Sequence, residues 1–237
     1  PSSTPEHTAM EQEQEQEQEQ EAIPTYAEAS QPAPPLPTAA DEPPAYTFLD
    51  SSQTTFSIRG TFIHTVSGPC YQLSSPLDQR GPDFRIRRLR AKEVSQIGVT
   101  PVAFASTSVL YEVNVPPLLV NEFHIRGFTR TCLPGMLEMK WRLGKWHVSQ
   151  VARYGAKGKE ILSLKVGGWG SAKLARRKEE GRSEWKDAGG RVLATEKLQS
   201  LEDGSVLPVV ELGEGLDQTW RELLITLWAT RLWIAFG

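Results

Sequence analysis

The sequence predicts a mainly β domain: about twelve short antiparallel strands closed into a barrel around a hydrophobic carboxy-terminal helix, with a disordered amino-terminal arm. Three observations lead there. Residues 1–50 carry eleven acidic side chains and no Lys or Arg, a charge of −11 in a chain whose total is −3. From Thr54 to Leu212 apolar and polar residues alternate in short runs cut by Gly, Pro, Asp and Ser. Residues 216–236 are apolar around most of a helical circumference.

The arm, residues 1–51, is rich in Glu, Gln, Pro, Ala and Thr. It holds too little apolar surface to offset the entropy of ordering its backbone, so it is expected to be disordered. Its Glu11–Glu21 stretch, EQEQEQEQEQE, combines like-charge repulsion with no apolar face, which suits a solvated spacer rather than a docked helix. The body, residues 52–237, carries +8 and is long enough to bury a core as one domain.

Strand signals begin with TTFSIRGTFIHTV (54–66), alternating around Phe56 and Ile58 and again around Phe62. CYQLS (70–74) follows a Ser-Gly-Pro turn. FRIRRL (84–89) sets Phe84 and Ile86 against Arg85 and Arg87, with Arg88 on the apolar side. VLYEVNV (109–115), EFHIRG (122–127), MLEMKWR (136–142) and KWHVS (145–149) repeat the two-residue period of a half-buried antiparallel sheet. EILSLKV (160–166), GSAKLA (170–175), SEWKD (183–187), RVLATE (191–196) and VLPVVEL (206–212) complete the set, and Asp187-Ala188-Gly189-Gly190 reads as a hairpin turn. So many locally connected strands are expected to close, because closure removes exposed edges.

LDQTWRELLITLWATRLWIAF (216–236) begins with Asp217 as N-cap and carries Glu222 early and Arg231 late, the charge order a helix dipole favours. A helix apolar nearly all round belongs inside something. Its uninterrupted apolar run is shorter than the roughly 20 residues a bilayer core needs, which favours enclosure in protein over a membrane span.

Many short strands closed by one apolar carboxy-terminal helix resemble the tubby-like fold of tubby carboxy-terminal domains, phospholipid scramblases and LURP-related proteins. More closely, TTFSIRGTFIHTVSGPCYQLSSPLDQRGPDFRIRRL and the Trp-rich terminal helix look like a group of uncharacterised filamentous-fungal proteins. The wider resemblance implies a twelve-stranded barrel around a central helix, residues 216–236, and a basic patch for phosphoinositide headgroups. It brings no catalytic motif.

Pro43-Pro44-Ala45-Tyr46 matches Pro-Pro-x-Tyr, the ligand of group I WW domains. The prolines pre-set a polyproline II conformation, so docking costs little entropy, and Pro43, Pro44 and Tyr46 fill apolar and aromatic slots. Such a motif resembles those by which adaptors recruit Nedd4-type ubiquitin ligases. Upstream, Pro34, Pro35 and Pro37 form a second polyproline site. Arg85, Arg87, Arg88 and Arg90, with Arg176, Arg177 and Lys178, are the candidate basic face for an acidic phospholipid surface. Aromatic residues for base stacking are sparse there, which disfavours nucleic acid.

Signals for enzymatic chemistry are thin. His7, His64, His124 and His147 have no metal-ligand spacing, so no metal or other cofactor is expected. Cys70 and Cys132 are far apart; with no sequon and no signal peptide they suggest a reducing, cytoplasmic setting, with contact to membranes only at their surface. The expected function is therefore a non-enzymatic binding or adaptor module. An interaction domain without lipid affinity is the competing class, and an enzyme with an unrecognised site the third.

Overall fold

The computed structural model describes residues 52–116, 119, 121–152, 156–165 and 182–237. All belong to the unit Pro44–Gly237. Pro34, Pro35, Pro37, Pro43, Pro44, Tyr46, Arg176, Arg177, Lys178 and the strand expected at 170–175 lie outside the described residues.

Alternation of apolar and polar side chains builds the strands β1 (Thr55–Arg59), β2 (Phe62–Thr65), β3 (Gly68–Leu73), β4 (Asp83–Arg88), β5 (Val109–Asn114) and β6 (Glu122–Gly127). They continue as β7 (Met136–Arg142), β8 (Lys145–Val151), β9 (Lys159–Lys165), β10 (Ser183–Asp187), β11 (Val192–Ser200) and β12 (Val206–Leu212). Each pairs antiparallel with its sequence neighbours, and β1 closes the ring on β12 with Phe56 opposite Val210. The result is an up-and-down barrel of twelve strands without a free edge. Odd-numbered strands run one way and even-numbered strands the other, so every turn leading out of an odd strand lies at the same end.

Two-residue turns need backbone that favours positive φ. In the β7–β8 hairpin Leu143 has φ 51° and Gly144 has φ 75°. After β10 the Asp187 carboxylate accepts from the amides of Gly189 and Arg191, both at 2.9 Å, and Gly190 takes φ 84°.

The helix α2 (Gln218–Phe236) follows β12. The short helix α1 (Ala91–Val94) lies between β4 and β5. As expected, Asp217 caps α2 by accepting from the Trp220 amide at 2.9 Å. From Arg221 to Thr230 every side chain of α2 is buried, and Leu232 and Trp233 are buried as well. Phe84 of β4 stacks on Trp233 with ring centroids 5.0 Å apart, and the Trp233 indole donates to the Gln79 carbonyl at 2.9 Å. The helix thus fills the barrel from the end where β12 finishes to the end bearing the β3–β4 connection. Its apolar circumference is matched by inward Phe56, Ile86, Val113, Met139 and Leu164. Each such fully buried side chain contributes about 1.5–3 kcal/mol. No helix of the described residues is long and apolar enough to cross a membrane.

The excursion 89–108 has no strand period beyond Leu89, and apart from Arg90 in the expected basic face the sequence reading gives its residues no role. It folds over the outer face of β3 and β4, where Gln72 donates to the Val102 carbonyl at 2.9 Å. Glu93 closes its helical turn by accepting from the Arg90 amide at 2.8 Å.

Candidate functional site

The excursion overturns part of the expected basic face. Strand alternation does turn Arg87 outward on β4, but 89–108 covers it and its side chain is 0% exposed. The guanidinium donates to Gln72 Oε1 at 2.8 Å, to both Glu93 oxygens at 2.9 and 2.8 Å and to the Ala103 carbonyl at 3.1 Å. It also lies over the Phe104 ring. Arg87 therefore clamps a loop, because a buried charge must be paired and hydrogen-bonded.

Arg88 points the other way, into the barrel mouth, and donates to Glu222 of α2, whose side chain is 0% exposed. The same carboxylate accepts from Gln218 at 2.8 Å and from the Tyr71 hydroxyl at 3.3 Å. Burial works against the Arg88 charge, but Glu222 outweighs it and holds the guanidinium above its ordinary value. Deeper along the helix, Arg231 makes a two-pronged bond to Glu196 of β11. Glu222 and Arg231, expected to answer the helix dipole, instead tie α2 to the wall at two levels. Of the rest, Arg85 pairs with Glu112 at 2.6 Å and Asp83 at 3.0 Å, and Arg90 is half-buried.

Both thiols and, of the described histidines, His124 and His147 are likewise engaged. Cys70 and Cys132 give their hydrogens to the carbonyls of Ile63 and Leu110. Burial pushes the Cys70 thiol up to about 12, which keeps it protonated and unreactive. His124 lies 2.9 Å from Glu122 and His147 3.0 Å from Glu160. Burial, then Arg59, lowers His64. Ligand atoms of Glu122, His124 and Glu138 lie within 4.8 Å of one another, a cluster the sequence spacing did not reveal. The Lys140 ammonium sits against both carboxylates, 2.7 Å from Glu138 and 3.2 Å from Glu122, and already supplies their countercharge.

Cations without acidic partners, among the described residues, gather elsewhere. Register places Arg142 directly opposite Lys145, and Lys145 directly opposite Lys165, across β7, β8 and β9. All three are exposed, and Glu184, opposite Lys165, is bonded to Lys186 at 3.1 Å. Between Arg142 and Lys145 the Leu143 side chain is 100% exposed. Beside it a cleft of about 270 Å³ is lined by Lys140, Arg142, Leu143, His147, Ser149 and Glu160.

No family model, no curated protein and no solved structure matches this chain. The row Arg142, Lys145, Lys165 is the site that sequence reasoning missed. Its signal was present: the runs MLEMKWR and KWHVS flank the two residues Leu143-Gly144, and a two-residue hairpin forces 142 to face 145.

Proposed function

We propose that the chain is a non-enzymatic adaptor whose PPAY segment recruits a WW domain of the kind found in Nedd4-type ubiquitin ligases. The observation that carries this reading is the filling of the barrel by its own helix α2, which leaves the outer surface and the flanking peptide as the places for recognition. Tyr46 stands nine positions before Thr55, the first residue of β1, so the motif is written next to a closed body. Pro43 and Pro44 set the polyproline II geometry and Tyr46 supplies the aromatic anchor.

The acidic-phospholipid reading keeps Arg85, Arg90, Arg176, Arg177 and Lys178 as its residues. It loses Arg87 and Arg88, whose charges are spent inside the fold.

Calorimetry of a peptide of residues 38–50 against group I WW domains tests the adaptor reading. Micromolar binding that disappears with Tyr46→Ala is expected. Equal binding by both peptides, or none by either, would sink it.

A further inference from the structure

We propose that the β7–β8 tip and the adjoining face of β8 and β9 form a docking surface for an acidic peptide segment of a partner protein that also carries an apolar side chain. The proposal goes beyond the WW reading and shares no residue with it.

Three features that each disfavour the isolated fold meet at this hairpin. Like charges directly opposite on neighbouring strands repel, and here two such pairs run in a row, Arg142–Lys145 and Lys145–Lys165. Elsewhere the barrel sets opposite charges across its strands, as with Arg85 and Glu112 or Glu122 and Lys140. Leu143 occupies the left-handed backbone region, which a branched apolar residue adopts at a cost. The same residue exposes its whole side chain to water. Repulsion and apolar exposure are relieved together by a ligand that brings carboxylates to the cations and an apolar group to Leu143, while the backbone cost is one the turn bears for holding an apolar residue at that point.

The shape and the neighbouring charges select a peptide over a bilayer. The cleft runs down the side of the barrel, lined by His147, Ser149 and Glu160 as well as the tip. A membrane would meet the barrel end as a plane. At that same end the β11–β12 turn exposes Glu202 and Asp203, which an acidic membrane repels. An extended segment can lay its carboxylates along Arg142, Lys145 and Lys165 and its apolar side chain over Leu143, clear of both that turn and Glu160 at the far side of the cleft.

Anisotropy of a fluorescein-labelled peptide of three Glu-Glu-Leu repeats, titrated at low salt with the full 237-residue chain, tests this. Saturable binding is expected, with no binding of the same peptide carrying Gln for Glu. The double variant Arg142→Glu, Lys145→Glu should weaken it at least about tenfold, since close charge pairs dominate such contacts. Leu143→Asn should weaken it about threefold to tenfold while raising Tm, because Asn accepts positive φ more readily. That pairing of a more stable fold with poorer binding is not what a purely structural Leu143 would give. Tyr46→Ala should leave this binding unchanged, so failure of the WW reading is read out separately. The proposal is overturned if the peptide does not bind saturably, or if both tip variants bind like the parent. Binding of phosphatidylserine vesicles through these residues, without binding of the peptide, would also overturn it in favour of a bilayer.

Discussion

Replacing Arg88 by Met should destabilise the barrel more than replacing its partner Glu222 by Leu, and making both changes should nearly restore it. Without Arg88, a carboxylate that is 0% exposed keeps only the Gln218 amide at 2.8 Å and two long hydroxyl contacts, Tyr71 at 3.3 Å and Thr131 at 3.5 Å. Stranding a buried charge this way costs about 3–5 kcal/mol, and the poor replacements put it near 4. Without Glu222, the guanidinium is 20% exposed and keeps Thr131 at 3.3 Å, so it can turn toward water. That loss should be nearer about 2 kcal/mol. The double variant removes both charges from the mouth and should fall within about 1 kcal/mol of the parent. Urea unfolding followed by tryptophan fluorescence measures all three, since Trp220, Trp228 and Trp233 lie on α2. A double-variant loss equal to the sum of the single losses, or a larger loss for Glu222→Leu than for Arg88→Met, would refute the reasoning.

Acid should release the 89–108 excursion before the barrel opens. Burial opposes the charge on Glu93, but Arg87 and the Arg90 amide outweigh it and hold the carboxyl below its ordinary 4.5. A depressed folded-state value means the clamp stabilises fully above that ordinary value and is lost as pH falls through the lowered one. Amide exchange of residues 91–108 should accelerate there ahead of the strands, and Glu93→Gln should make it fast at neutral pH. Equal protection of excursion and strands across that range would count against the clamp. Gly127→Ala should cost about 1–3 kcal/mol, because its Cβ would lie 2.3 Å from the Cys132 Cβ. Adding Cys132→Ala should give no relief in a thermal melt, since the conflict is with the β carbon itself. Leu143→Asn should stabilise by about 1 kcal/mol, worth about 2–4 °C in Tm for a domain of this size; an unchanged or lower Tm would mean that the turn carries no strain.

Much of the architecture is legible along the chain because it depends on period and composition. Alternation marks EFHIRG, MLEMKWR, SEWKD and VLPVVEL with the bounds that β6, β7, β10 and β12 show. The apolar girth of 216–236 requires enclosure, and α2 is enclosed. The same period told that Arg87 faces outward and Arg88 inward. It could not tell what lies across those faces: a patternless excursion that buries Arg87, and a helix 134 positions away that supplies Glu222. The candidate site was lost for the same reason. Arg142, Lys145 and Lys165 are unremarkable as separate letters and become one cationic row only through strand register. A sequence by itself determines which way each side chain of a strand points; only the tertiary structure decides which charge it meets, because that partner is brought from a distant part of the chain.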